Sequence, residues 1–343
     1  WITNAFSDKR QWLMGWFYRH KWLTAVGVIA TAWICFQTAR TFFLPLESRI
    51  RHALHQAVKN KYPKAAQALA ARYGIRPFKT FRKDEAYSGP DRVVLVHGLD
   101  DPGIIWQNLA PVLWEKGYQV FIMTYPNDQA IAASTRFFFE QMLLLAAKDP
   151  GPVCVVAHSM GGLVAREMLS GPEYAYAEAA AAQKVPAVKL LIMVGTPNHG
   201  TQIARFRIFT EIRDQIFYFF KPGTHWLHCL LDGTGAAAVD LLPGSAFLTQ
   251  LNRHPLSENI QMHVIAGIIC PWLRQGPLKN LLGDGLVSVD SAALGQVPVT
   301  RVNGSHFSII RNFTRSSTRT PPAIPVILRL LKKQVSDSGR KSP

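Results

Sequence analysis

The stretch Val153-Cys-Val-Val-Ala-His-Ser-Met-Gly-Gly162 reads as a buried strand, a tight turn and the opening of a helix. Val153–Ala157 is short and apolar, and the helix is expected from Met160 to Leu169. A turn of this kind forces the residue at its apex into a strained backbone conformation and lifts that side chain above the sheet. The apex residue is Ser159. Small residues two before and two after it, Ala157 and Gly161, let strand and helix pass closely. A hydroxyl displayed in this way points to a nucleophile, provided that partners stand elsewhere in the chain.

On either side the pattern repeats. Val93–Val96, Gln119–Thr124, Val188–Val194, Gln261–Ile269 and Val297–Val302 read as further strands, with helices near Ile104–Lys116 and over Gln129–Lys148. Strands alternating with helices predict an α/β fold: a mostly parallel sheet flanked by helices and joined by right-handed crossovers. In such sheets the functional loops lie at the carboxyl ends of the strands. A segment of about 201–252 breaks the alternation and reads as a helical cap insertion.

A serine hydroxyl is a weak nucleophile until a base removes its proton, and an acid must hold that base in the right tautomer. For this strand–turn–helix architecture the chain order is Ser, Asp, His. Gly283-Asp-Gly-Leu-Val-Ser-Val289 places Asp284 in a glycine-flanked loop, and Asn303-Gly-Ser-His-Phe307 places His306 directly after the last strand. Both loops lie at carboxyl ends, on the side where Ser159 emerges. Asp290 and Asp240 compete for the acid's place. Asp290 stands further into the segment after the loop and Asp240 inside the insertion, so Asp284 is favoured.

Acyl transfer also develops an oxyanion that needs preorganised donors. One is expected from the backbone N–H of Met160, directly after the nucleophile. The other is expected from Leu99, in the loop Val96-His-Gly-Leu-Asp100, where Gly98 admits a close backbone approach. His97 and His158 neighbour these groups in sequence. They are read as structural support, His97 ordering its loop by hydrogen bonding.

His97-Gly98-Leu99, Ala157-His-Ser-Met-Gly161, Gly195-Thr-Pro-Asn-His-Gly200, Pro243-Gly-Ser-Ala-Phe-Leu248 and Gly283-Asp-Gly-Leu-Val287 together resemble the α/β-hydrolase lipases and esterases. The likeness is to bacterial triacylglycerol lipases and to relatives of the enzyme that deacylates inositol in GPI anchors. It covers roughly residues 90–312. It implies an α/β-hydrolase fold, a triad of Ser159, Asp284 and His306, and Leu99 and Met160 as oxyanion donors. It also implies a serine hydrolase acting on carboxylic acyl esters of lipid-like character. An acyltransferase or thioesterase using the same triad is the alternative, and a non-catalytic membrane scaffold with this fold is a third reading. Calcium-binding lipases carry an acid two residues after the catalytic histidine, where this chain has Ser308, so no such calcium is expected. Within the insertion, Ile208, Phe209, Ile212, Ile216 and Phe219/Phe220 fall at helical spacing. That helix is either a lid over the acyl chain or an ordinary amphipathic helix packed on the core.

The net charge of the 343-residue chain is +16, and residues 1–88 hold 15 Lys/Arg against 4 Asp/Glu. The basicity thus belongs mainly to the N-terminal quarter. No interleaved basic and aromatic motif suggests a nucleic-acid groove. Trp22–Ala39 carries no charge, and at about 1.5 Å per residue it nearly matches a bilayer's hydrocarbon thickness. Arg19, His20, Lys21 and Arg40 flank it, and Trp16, Phe17, Tyr18 and Trp22 resemble an interfacial belt. A cleaved signal is disfavoured, because no clear small-x-small site follows. The expected organisation is a basic and aromatic flank at 1–21 and a transmembrane anchor at 22–44. Basic juxtamembrane helices at 45–88, a catalytic domain at 89–335 and a disordered tail at 336–343 complete it. The anchor is single-pass and expected in a bacterial inner membrane. The side occupied by the catalytic domain is left open: Lys9, Arg10, Arg19 and Lys21 precede the run and Arg40, Arg49, Arg51, Lys59, Lys61 and Lys64 follow it, a distribution that does not place the domain outside and leans weakly the other way.

Four cysteines make no disulfide framework in a chain of this length. Cys35 and Cys154 read as small buried hydrophobes, and Cys229 and Cys270 could pair in an oxidising compartment. No metal-ligand spacing appears, and neither metal nor cofactor is expected. The oligomeric state is left open.

Overall fold

Alternation within the strands sorts their side chains onto two layers. Val153, Val155 and Ala157 face one apolar cluster, whereas Cys154 and Val156 face another on the opposite side of the sheet. The two-residue period of a strand makes this separation automatic. A strand buried on both faces must therefore read as a continuous apolar run.

The structure is a computed structural model. It describes residues 71–79, 92–99, 101, 103–127, 129–201, 236–271, 282–314 and 316–340, with Thr31, Asn60, Lys61, Pro63 and Gln67 besides. The chain divides into two units, Trp1–Glu47 and Ser48–Pro343. Of the first, Thr31 alone is described, in a helix. Apart from Thr31, the flank and anchor expected at 1–44 lie outside the described residues, as does the insertion helix at 206–220. No helix among the described residues is long and apolar enough to cross a membrane.

The second unit carries strands β1 (Gly74–Pro77), β2 (Arg92–Val96), β3 (Gln119–Thr124), β4 (Val153–His158), β5 (Val188–Val194), β6 (Gln261–Ile268) and β7 (Val299–Asn303). They form one sheet in the order β1-β3-β2-β4-β5-β6-β7. β1 runs antiparallel to β3, and every other neighbouring pair is parallel. Helices among the described residues include α1 (Leu109–Glu115), α2 (Ile131–Lys148), α3 (Met160–Ser170), α4 (Tyr176–Ala181), α5 (Ala236–Asp240), α6 (Ala246–Leu251), α7 (Val289–Ala292) and α8 (Ala323–Arg340). Helices α2 and α3 cover one face of the sheet through Phe138, Met142, Leu163 and Met168, and α1 and α8 cover the other through Leu109, Leu113, Ile327 and Leu331. Burying each such side chain contributes about 1.5–3 kcal/mol.

Adjacent strands β2 and β4 send their helices to opposite faces, α1 to one and α3 to the other. Loops that diverge in this way open a crevice at the carboxyl ends of the strands, the switch point of an open parallel sheet. The loop carrying Leu99 and the turn carrying Ser159 flank that crevice.

The structure departs from the sequence reading in four places. Strand β1 stands within 45–88, where only helices were expected; its four residues, of which Gly74 alone is buried, carry too little pattern to be read alone. The helix expected over Ile104–Lys116 splits into a 3₁₀ turn, Ile104–Trp106, and α1. Asn108 sits at the break, its Oδ1 accepting the Asn312 N–H at 2.8 Å. Strand β7 is shifted to begin after Pro298, whose ring nitrogen has no hydrogen to donate. Helix α8 runs to Arg340, so the tail expected from residue 336 is helical over its first part.

Candidate active site

Glycine placement shapes the turn after β4. Ser159 has φ 54 and ψ −129, a left-handed excursion that a side chain rarely tolerates. Its backbone N–H donates to Val194 O at 2.9 Å, tying the turn to β5. A Cβ on Gly161 would lie 2.5 Å from Val96 O and closer still to His97 O. Both are backbone atoms, so only glycine lets α3 descend this near to β2. A Cβ on Gly98 would meet Ser159 Cβ at 2.7 Å, which sets the loop after β2 directly against the serine.

The carboxylate and the imidazole come together as a buried pair. His306 Nδ1 lies 2.8 Å from Asp284 Oδ2, and the two residues are 3% and 2% exposed. The other carboxylate oxygen, Oδ1, accepts the N–H groups of Leu286 at 2.9 Å and Val287 at 2.8 Å. Asp284 O accepts the His306 N–H at 2.9 Å, joining the loops after β6 and β7 through their backbones as well. Gly195, φ 60, closes the third side: a Cβ there would stand 3.1 Å from Asp284 Oδ2 and 3.2 Å from His306 Nδ1. The motif that begins at Gly195 thus adjoins the acid–imidazole pair, a contact that no local pattern announces.

The competing acids are elsewhere. Asp290 is exposed on α7. Asp240 Oδ2 accepts the N–H of Ile131 at 2.8 Å, capping α2 from the base of the insertion. Ser159 is half-buried, and among the described residues its hydroxyl makes no hydrogen bond. Met160 is buried at the first position of α3, where the N–H has no partner within the helix. Leu99 is partly buried and follows Gly98, the residue set against the serine. Cys270 is a free thiol, and Cys229 lies outside the described residues.

Two further residues support the site: Arg166, which no local pattern announces, and His158, expected as structural support from its place beside the serine. Arg166 is 1% exposed, and its guanidinium reaches Asn198 Oδ1 at 2.9 Å and Asn252 Oδ1 at 3.1 Å. Asn198 in turn donates to Ala292 O at 2.7 Å, so α3, the loop after β5 and α7 are bound into one frame. Burial lowers the Arg166 pKa to about 10, which leaves it charged at neutral pH. The second support is His158, whose Nε2 lies 3.0 Å from His306 O and whose ring centroid is 4.7 Å from that of His306. A carbonyl can only accept, so Nε2 of His158 carries the proton.

Burial, aided by the neighbouring His306, holds the His158 pKa well below its ordinary 6.5, so the ring is neutral in the fold. The unfolded chain recovers the ordinary value and takes up a proton that the native state refuses. The stability tied to the neutral ring is therefore complete above pH 6.5 and is lost as pH falls below it. Urea denaturation should show His158 contributing a slope of about 1.4 kcal/mol per pH unit in that acid range. His158→Gln is expected to lack that component; an unchanged slope would refute it.

No group of three or more His, Cys, Asp or Glu among the described residues is arranged to hold a metal ion.

A parallel sheet that delivers a serine from one strand end and a histidine–carboxylate pair from two others is the plan of the alpha/beta hydrolases. The model of the alpha/beta hydrolase family matches residues 93–313, and the chain belongs to that family. Among solved structures it is similar to the mature form of Bacillus licheniformis lipase BlEst2, with 21% identity over 75% of this chain and 97% of that one, TM-score 0.52. It is similar also to Staphylococcus hyicus lipase, with 14% identity over 77% and 100% and TM-score 0.54. A third such structure is lipase 1 from Pelosinus fermentans, with 13% identity over 72% and 99% and TM-score 0.52. At these identities the likeness is one of fold. No curated protein sequence matches the chain.

Proposed function

We propose that the protein is a serine esterase or lipase, a carboxylic ester hydrolase working through an acyl-enzyme on Ser159. The observation that carries this reading is the buried 2.8 Å contact between His306 Nδ1 and Asp284 Oδ2, at the sheet edge where Ser159 emerges. In the proposed cycle, His306 Nε2 takes the Ser159 proton as the hydroxyl oxygen attacks the ester carbonyl. The N–H groups of Leu99 and Met160 receive the oxyanion of the tetrahedral intermediate. Its collapse expels the alcohol, which leaves with the proton from His306. Water then repeats the sequence and frees the acid. Asp284 accepts the Nδ1–H throughout and stabilises the imidazolium.

The names of the similar structures, lipases from three bacteria, favour a lipid-like acyl ester. The test is hydrolysis of p-nitrophenyl esters and labelling by a fluorophosphonate. Both are expected of the intact chain and neither of Ser159→Ala.

Membrane attachment through residues 22–44 belongs to the same proposal and rests on the sequence of that segment. The full chain is expected to stay in the membrane pellet after alkaline carbonate washing, while a chain beginning at residue 45 is released. Finding the full chain in the wash would overturn the anchor.

A further inference from the structure

A backbone N–H can serve as an oxyanion donor only if its peptide is held in one orientation before the charge develops. Leu99 lies in a loop, so something must hold it. The Leu99 N–H shares a peptide with the Gly98 carbonyl, and that carbonyl is 2.8 Å from His97 Nδ1. Because a carbonyl only accepts, Nδ1 is the protonated nitrogen. The peptide is trans, which sets the N–H opposite to the C=O. The position of the His97 ring therefore sets the direction of the Leu99 N–H.

Tyr125 governs that ring. The two rings are stacked, with centroids 4.6 Å apart and planes at 21°. The Tyr125 hydroxyl donates to the His97 carbonyl at 2.7 Å. The same carbonyl abuts Gly161 of α3, where a Cβ would collide with it. His97 O is thus held between a phenol and a helix. Tyr125 is 1% exposed, and burial, with the Asp101 carboxylate adding to it, pushes its ionisation above the ordinary range so that it stays a donor. The far end of the loop is fixed separately. Asp101 Oδ1 accepts the Gly103 N–H at 2.6 Å, and Asn127 Nδ2 donates to Asp101 O at 3.2 Å.

We propose that Tyr125 is a positioning residue for the oxyanion hole, acting through His97 on the Leu99 N–H. It follows β3, a strand that supplies nothing else to the site. The inference rests on the ester-hydrolase reading above. A tyrosine that merely fills the core would cost stability when altered and leave the chemical step alone. A positioning tyrosine affects the transition state.

The experiment uses the full chain with p-nitrophenyl butyrate. Tyr125→Phe keeps the ring and removes the donor. It is expected to lower kcat about tenfold with KM within about twofold, a fraction of the cost of losing an oxyanion donor outright. A trifluoromethyl ketone, which forms a tetrahedral adduct with the serine, should weaken by the same factor. Placing 4-aminophenylalanine at position 125 restores an N–H donor and should bring kcat back to within about threefold of wild type. If the Phe variant does not fold, 4-fluorophenylalanine, which fills the space without donating, takes its place in the comparison. A kcat within about twofold of wild type, an unweakened ketone, or no recovery with the amino analogue would each overturn the role. A wild-type chain with no esterase activity removes the hydrolase reading and this one with it. An active wild type beside an equally active Phe variant removes only the role of Tyr125.

Discussion

Ser159→Ala is expected to lower kcat on p-nitrophenyl esters by about a million-fold, the scale at which removing a nucleophile disables a whole triad. The residue left behind has no atom to form the acyl-enzyme. His306 and Asp284 then hold a base with nothing to activate, and only water attacks a bound ester, helped by the oxyanion donors. The fold should not register the change. Among the described residues nothing hydrogen-bonds the Ser159 hydroxyl, and alanine meets the same backbone strain at φ 54 as serine does. Thermal unfolding should therefore coincide with wild type while fluorophosphonate labelling disappears. A variant that keeps even a hundredth of the activity would remove Ser159 from the reaction.

Asp284→Asn is expected to cost about ten-thousand-fold in kcat, through the tautomer of His306 rather than through the fold. Two backbone N–H groups, from Leu286 and Val287, point at Oδ1 and require an acceptor there. The asparagine carbonyl satisfies them. Its NH₂ group then takes the place of Oδ2, 2.8 Å from His306 Nδ1. Facing a donor, Nδ1 must give up its proton and become the acceptor. The proton moves to Nε2, and the nitrogen meant to receive the Ser159 proton is already occupied. Measured kcat separates this outcome from its rival: a loss below about tenfold would mean that another carboxylate serves as the acid.

Much of this was legible in the chain itself. The runs Gln119–Thr124 and Val188–Val194 match β3 and β5 residue for residue, because each centres on an unbroken apolar run, Val120–Met123 and Leu190–Val194. The apex at Ser159 could be read because the turn makes demands on immediate neighbours: no side chain at Gly161, a small one at Ala157. The choice of Asp284 over Asp240 and Asp290 was an ordering argument, and packing replaces it with a geometric one. Asp240 is committed to the start of α2, and Asp290 faces solvent.

Other parts were hidden for a common reason. Strand β1 is stabilised by pairing with β3, a partner about fifty residues later in the chain, and four residues alone do not announce it. Gly195 adjoins the His306–Asp284 pair only because β5 lies beside β6 in the sheet. Tyr125 and Arg166 read as an ordinary aromatic and an ordinary helix cation until their partners are seen. The amino-acid order alone determined the alternating elements, the strained turn at Ser159 and the motifs that carry Asp284 and His306, since each is imposed by residues next to one another. The folded sheet decided which carboxylate meets the imidazole, which ring stacks on His97 and which glycine clears space for the pair. Those are contacts across tens or hundreds of residues, and such contacts exist only once strand order and register have brought the segments together.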